Sequence, residues 1–224
     1  MTKAALRRVI KERLAALPDG RFSAEGRAAA ERLAATELWR RHTRVLLYRS
    51  LPGEIDTWPL VERAFAAGKE VYFPKTYGKG VMRFFRVDSP EGPWVTGNFG
   101  IAEPAGGVPF RPPANADTAS ADTASALVIT PGRAFDREGS RMGWGGGYYD
   151  RFFAALADTA FADTAIDAAD ADARPGYEAA GFCLDCQIVE YVPAESFDRR
   201  MDALCAASEF LNFAPGGGLT ARSR

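Results

Sequence analysis

Between positions 143 and 147 the chain carries four glycines, Gly143, Gly145, Gly146 and Gly147, directly ahead of a candidate helix that opens at Tyr148. A β-rich run, Leu127 to Thr130, precedes them, stopped by Pro131-Gly132 and followed by a polar loop. Strand, glycine loop and helix start together can seat an anion. Glycines reach positive φ and carry no Cβ, so their N–H groups can converge, and the first helical turn adds unpaired donors at the positive end of its dipole. Asp150 falls in that first turn. A carboxylate there suits the dipole, but beside a polyphosphate it needs a cation between them, which points to Mg2+. The loop matches neither GxxxxGK(S/T) nor a clean GxGxxG, and glycine-rich turns also serve simply to let a helix pack closely on a sheet. On the loop alone both readings stand.

Other candidates are thinner. Lys3, Arg7 and Lys11 recur at i, i+4 and i+8 on a predicted helix, a pattern that by itself describes a solvated face. Glu54 stands just beyond the carboxyl end of a predicted strand, where open α/β sheets place ligand-contacting residues. For Glu54 and Asp56 the plain alternative is favourable charge near a helix start. His42 is the one histidine, which argues against histidine-dependent hydrolysis or a histidine-rich metal site and fits a linker residue. Cys183 and Cys186 form a single C-x-x-C inside an apolar run, without the second ligand pair that zinc requires, and read as small buried strand residues.

The whole chain bounds these readings. With 224 residues, 47% of them hydrophobic, there is enough for one substantial α/β core. A net charge of −1 creates no general field for nucleic acid or an acidic membrane, so an anion site must be local. The absence of a bilayer-length apolar stretch and of a secretory pattern, with three cysteines, leads to the expectation of a soluble cytoplasmic protein in a reducing compartment.

The elements that must position these groups follow in order. Thr2 to Leu17 is an amphipathic helix with Leu6, Ile10, Leu14 and Leu17 on one stripe, ended by Pro18-Asp19-Gly20. Ser23 is placed to cap an alanine-rich helix running to about Trp39. Val45 to Ser50 is the first strand, and Thr57 caps a helix, with Pro59 in its first turn, that ends at Gly68. Lys69 to Lys75 and Val81 to Val87 are further strands, and two strands joined by a helix imply a right-handed parallel unit. Phe182 to Val192 is another strand candidate, and Phe197 to Asp202 opens a last helix. Ala-Asp-Thr-Ala recurs at 116–119, 121–124, 157–160 and 162–165, marking surface insertions near 114–125 and 157–174 within a single domain over 1–213. Residues 214–224 read as a flexible tail.

Taken together, KAALR at 3–7, YRSLPGEIDT at 48–57, FGIAEP at 99–104, PGRAFDREGSRMGWGGGYYDR at 131–151 and QIVEYVPAESFD at 187–198 resemble, in family order, the 5-formyltetrahydrofolate cyclo-ligases, also called methenyltetrahydrofolate synthetases. The 131–151 stretch is the specific one. The resemblance implies a single three-layer α/β domain with a mostly parallel sheet, of the type shared with ribose-5-phosphate isomerase and CoA transferases. It implies ATP- and Mg2+-dependent conversion of 5-formyltetrahydrofolate to 5,10-methenyltetrahydrofolate, with ADP and phosphate released. The partners it implies are small molecules, with neither nucleic acid nor membrane, and a monomer is expected.

Carried across by motif, Lys3, Ala4, Ala5, Leu6 and Arg7 bind ATP, with Arg141, Met142, Gly143, Trp144, Gly145, Gly146, Gly147, Tyr148 and Tyr149 wrapping the nucleotide. The substrate falls to Arg7, Arg49, Glu54, Trp144, Gly145, Gly146, Gly147 and Tyr148, catalysis to Lys3, Arg7 and Tyr148, and the metal to Asp150 and Asp198. Many members carry Arg or Lys where this chain has Trp144. An unreplaced charge-assisted hydrogen bond costs about 1.5–3 kcal/mol, or about ten- to a hundredfold in affinity. An aromatic there could instead stack on the pterin or adenine. A paralogue with the same ATP loop and another substrate, and a non-catalytic folate or nucleotide binder, are the competing readings.

Overall fold

The computed structural model describes residues 1–78, 80–112, 126–162, 176–195 and 198–213. The chain opens with α1 (Lys3–Ala15), α2 (Arg21–Ala34) and α3 (Glu37–Arg41), then enters β1 (Arg44–Leu46) and α4 (Trp58–Ala66). β2 (Glu70–Tyr77) and β3 (Val81–Val87) form a hairpin, and β4 (Trp94–Thr96) pairs with β5 (Ala102–Pro104). β6 (Ala126–Thr130) leads through β7 (Ala134–Asp136) and β8 (Arg141–Met142) into α5 (Tyr148–Ala162). β9 (Tyr177–Phe182), β10 (Ile188–Val189), β11 (Ala203–Cys205) and β12 (Phe210–Asn212) close the chain.

The main sheet has the order β12-β11-β9-β6-β1-β2-β3. Its five inner strands run parallel, and only the edge strands β12 and β3 are antiparallel to their neighbours. β6 sits at the centre with all five residues buried, as a strand covered on both faces must be. Its period of two splits them: Leu127 and Ile129 join the apolar stripes of α1 to α4, whereas Ala126 and Val128 meet Phe152, Phe153 and Leu156 of α5. That gives three layers, with four helices on one face and α5 on the other.

Several local expectations shift for identifiable reasons. The alanine-rich helix ends at Ala34 because Thr36 breaks it and caps α3, accepting from the Trp39 amide at 3.1 Å. Ser23 lies inside α2 and donates to Asp56 instead, at 3.1 Å. Asp56, not Thr57, caps α4 by accepting from the Trp58 amide at 2.9 Å, while the Thr57 hydroxyl donates to the Tyr48 carbonyl at 2.7 Å. The first strand is only Arg44–Leu46, after which the backbone leaves the sheet. The Phe182–Val192 run breaks after Phe182 into a one-turn 3-10 segment (Asp185–Gln187) and short β10, so Cys183 and Cys186 lie beyond the strand, both with free thiols. Among the described residues no helix opens near Asp198; the chain goes directly to β11. The second proposed insertion begins inside α5, whose bounds reach Ala162; 114–125 and 163–174 lie outside the described residues, as does 214–224.

The topology also fixes a location. From β1 the chain steps outward to β2, and it returns on the other side of β1 to form β6. Between the carboxyl ends of β1 and β6 the winding reverses, and a crevice forms at such a switch point because the connections diverge.

Candidate functional site

The segment leaving β1 is held by side chain to backbone bonds. Ser50 Oγ donates to the Ile55 carbonyl at 2.6 Å, and the Leu51 amide donates to Glu54 Oε2 at 2.8 Å. This turn folds Glu54 inward until it is 7% exposed. Burial raises its pKa from the ordinary 4.5 to about 7, against the opposing pull of the Leu51 amide, the Trp144 indole N–H and the Arg133 charge. Beside it, Arg49 has its guanidinium 4.7 Å from the Trp58 ring centroid and 4.8 Å from that of Trp94, and burial lowers its pKa.

The segment leaving β6 supplies the second wall. Asp136, 1% exposed, accepts from the amides of Glu138, Ser140 and Val192, which locks the β7–β8 turn. Arg141 is therefore presented inward, paired with Asp150 and bonded to the Pro131 carbonyl at 3.3 Å, with its Nε buried and unpartnered. Met142 turns into the core. The glycine loop follows, with Gly145 at φ 102° and Gly147 at φ 65°, conformations that a Cβ strains. The Tyr148 ring lies across Gly146, and Tyr149 is half-buried with its hydroxyl buried and unpartnered, its pKa raised by burial and by the Glu54 charge. Asp150 occupies the first turn of α5.

The amino end of α1 forms the third wall. Thr2 caps it, accepting from the Ala5 amide at 3.2 Å. Lys3 pairs with Asp198 at 3.0 Å and Glu195 at 3.2 Å; burial pulls its pKa down, but these two carboxylates outweigh it and leave it raised. One turn on, Arg7 points its Nε into a buried position without a partner, within electrostatic range of Arg133. Ala4 and Ala5 lie in its first turn, and Leu6 belongs to the core. The helix that looked like a solvated face thus turns one of its cations inward.

Arg133, at the exit of β6, was not singled out from the sequence. Its guanidinium lies 3.7 Å from the Trp144 ring centroid and within range of Glu54 and Arg7. The available signal was its place just beyond a strand's carboxyl end, the same rule that drew attention to Glu54. A cavity of about 750 Å3 elsewhere, between α2, α3 and β12, contains none of these groups.

Among the described residues no cluster of three or more His, Cys, Asp or Glu side chains could hold a metal alone. Mg2+ with a nucleotide needs less: one or two carboxylates plus phosphate oxygens and water. Asp150 and Asp198 supply two carboxylates, the first paired with Arg141 and the second with Lys3; burial would raise the Asp198 pKa, but the Glu195 amide, Lys3 and, at longer range, Arg141 lower it.

The sequence profile described as the 5-formyltetrahydrofolate cyclo-ligase family matches residues 1–207. The chain belongs to the 5-formyltetrahydrofolate cyclo-ligase family. Among its relatives in that family, the 5-formyltetrahydrofolate cyclo-ligase of Escherichia coli is 31% identical over 90% of this chain and 98% of its own. The Saccharomyces cerevisiae cyclo-ligase is 26% identical over 91% and 94%. The solved Aquifex aeolicus 5,10-methenyltetrahydrofolate synthetase superposes with a TM-score of 0.73 at 25% identity, covering 99% of this chain and 97% of that one.

Proposed function

We propose that this cyclo-ligase family member converts 5-formyltetrahydrofolate to 5,10-methenyltetrahydrofolate, consuming ATP with Mg2+ and releasing ADP and phosphate. The observation that carries the reading is the gathering of Arg7, Arg133 and Arg141 around the switch point, with Arg7 Nε and Arg141 Nε buried and unpartnered. Such a concentration of like charge is complementary to a polyphosphate.

The chemistry asks for positioning. A formamide oxygen is a poor leaving group, so the γ-phosphoryl is transferred to it from ATP, and N5 shares the positive charge of the activated carbon. N10 attacks that carbon, the carbon–oxygen bond breaks, phosphate departs, and the N10 proton is lost. Lys3 and Arg7 neutralise the charge that moves between ATP and the formyl oxygen, and the amides from Gly145 to Tyr148 orient the γ-phosphoryl. Asp150 and Asp198 would hold Mg2+, which would supply further charge neutralisation at the phosphates. Tyr148 and the Trp144 ring face the substrate, while Glu54, with Arg49 beside it, recognises the pterin through hydrogen bonds. None of this needs a histidine or cysteine nucleophile, in keeping with a chain whose lone histidine lies outside the site. The protein acts as a monomer on small-molecule partners, and three free thiols suit a reducing, cytoplasmic setting.

The test is direct. Purified protein with 5-formyltetrahydrofolate, ATP and Mg2+ should develop the near-ultraviolet absorbance of the methenyl product. ATP consumption without that chromophore would instead assign the chain to a paralogue with another substrate, and nucleotide or folate binding without either would make it a binder.

A further inference from the structure

Resting on the reading above, we propose that Arg133 and Trp144 work as one binding unit, in which Arg133 supplies the cation for the ATP phosphates and the Trp144 ring holds that cation in place. An indole carries no charge of its own, and the guanidinium stacked on it is that of Arg133. The fold provides it from another strand exit.

Four features converge on this assignment. The Arg133 guanidinium carbon lies 3.7 Å from the Trp144 ring centroid, in direct stacking contact. Its backbone is fixed from both sides: the Arg133 amide donates to the Met142 carbonyl at 2.7 Å, and the buried Gln187 amide group donates to the Gly132 and Arg133 carbonyls at 2.8 and 3.2 Å. The start of the side chain is therefore immobile, and only its tip is left for the stack to orient.

Charge is the third feature. Among the described residues Arg133 makes no ion pair, unlike Arg141, which is matched to Asp150. Glu54 lies within electrostatic range on one side and Arg7 on the other. Glu54 is itself buried with a raised pKa, so it does not fully offset two guanidinium groups. What completes the balance is a multiply charged anion spanning Arg7 and Arg133, and triphosphate is the co-substrate of that description.

The fourth feature is Trp144 itself. It remains 39% exposed, its indole N–H approaches the Glu54 carboxylate, and its ring edge lies at ordinary contact distance from where a Cβ on Gly53 would stand. One ring thus joins the glycine loop, the Glu54 turn and the β6 exit, and a shift of Trp144 moves the charge with it.

The experiment compares wild type, Arg133→Leu, Arg133→Lys and the double variant Arg133→Leu/Trp144→Arg, with KM for ATP and for 5-formyltetrahydrofolate measured separately and folding checked by thermal midpoint. Arg133→Leu should raise KM for ATP about ten- to a hundredfold, with the folate KM moving less than about threefold. Arg133→Lys should fall between it and wild type, because charge is kept but the planar stack is lost. The double variant should recover most of the ATP affinity, a rescue that a purely structural role cannot produce.

Unchanged ATP KM in Arg133→Leu, or no recovery in the double variant, overturns the proposal. A rise confined to the folate KM also overturns it, by assigning the cation to the substrate's carboxylates. If Arg133→Leu fails to fold, Arg133→Lys and the double variant carry the comparison. If wild type makes no methenyl product, the functional reading has failed on its own. Binding of a nonhydrolysable ATP analogue, followed by isothermal titration calorimetry, then tests the Arg133 assignment separately across the same variants.

Discussion

The two ends of one parallel sheet handle charge in opposite ways. At the amino end Arg41 forks onto Glu178 at 3.0 and 2.6 Å, Arg44 meets Glu70 at 3.1 Å, and Lys69 donates to the Trp39 carbonyl at 2.8 Å. Every one of those cations faces an acceptor. At the carboxyl end Arg7 and Arg133 lie within electrostatic range of each other, Arg7 Nε and Arg141 Nε are buried without partners, and Glu54 sits in a place that disfavours its charge. The strands and the helix layers are shared, so the contrast reflects what each end has to meet. A self-contained edge pairs its cations, even where His42 Nε2 is left over, whereas a ligand site keeps cations open and relies on the surrounding fold to tolerate the cost.

The strongest way to break this contrast is Arg7→Met, which keeps an unbranched apolar stem and removes the charge. Loss of a preorganised cation at the moving phosphoryl should lower kcat/KM about 10²–10³-fold. The thermal midpoint should hold or rise, since a desolvated, unpartnered nitrogen goes with it. Steady-state kinetics and a thermal melt on the same preparation decide this. A variant that melts well below wild type while keeping its turnover would place Arg7 with the structural charges and dissolve the comparison.

How far this arrangement could be read in advance depends on whether the signal is local. The central strand, the glycine loop and Asp150 at a helix start are contiguous, and their composition describes them: the β6 run is wholly apolar apart from Thr130 and is wholly buried. Thr36 and Asp56 were harder, because the run of alanines and the Thr57–Pro59 pair gave competing signals and the choice of cap depends on contacts from elsewhere, such as Ser23 to Asp56. The strand expected across Cys183 fails for a similar reason. Glu25 of α2 accepts from the Asp185 amide at 2.8 Å and Gln187 caps the Leu184 amide at 2.9 Å, so tertiary bonds draw the chain into a turn. The inward turn of Arg7 and the stacking of Arg133 on Trp144 join residues far apart in the chain, and helical spacing alone gives a cation on either face the same appearance.

Glu54→Gln gives a smaller effect and sharpens the same contrast, because it should separate binding from stability. Losing the carboxylate should raise the folate KM about ten- to a hundredfold, as one charge-assisted hydrogen bond predicts. Stability should move the other way. Folded Glu54 titrates near 7 and the unfolded group near 4.5, so the folded state holds an extra proton between those values and loses stability as pH rises through them. Glutamine removes that slope. At pH 8 the variant should melt above wild type and at pH 4 it should not, a pattern that thermal melts across the range would confirm; an equal gain at both pH values would mean that burial of the charge is not the cause.

The smallest effect belongs to the amino end, where the sign of the pH dependence reverses. Burial alone would raise the pKa of Glu178, but His42 and the Arg41 fork outweigh it and hold it down to about 2. The stability this contributes is present above the unfolded value of 4.5 and is lost as pH falls from there through about 2. Arg41 is more than a third exposed, which limits the worth of the pair to about 1 kcal/mol, or a few degrees in the thermal midpoint. Glu178→Gln should therefore melt slightly below wild type at pH 7, converge with it toward pH 3, and leave both KM values unchanged. His42 belongs to the same cluster, its buried Nε2 3.3 Å from Glu178 Oε2 and its Nδ1 2.7 Å from the Leu38 carbonyl. A change in KM on removing Glu178 would mean that the two ends of the sheet are coupled, and the open charges at the site could then no longer be treated as a property of that end alone.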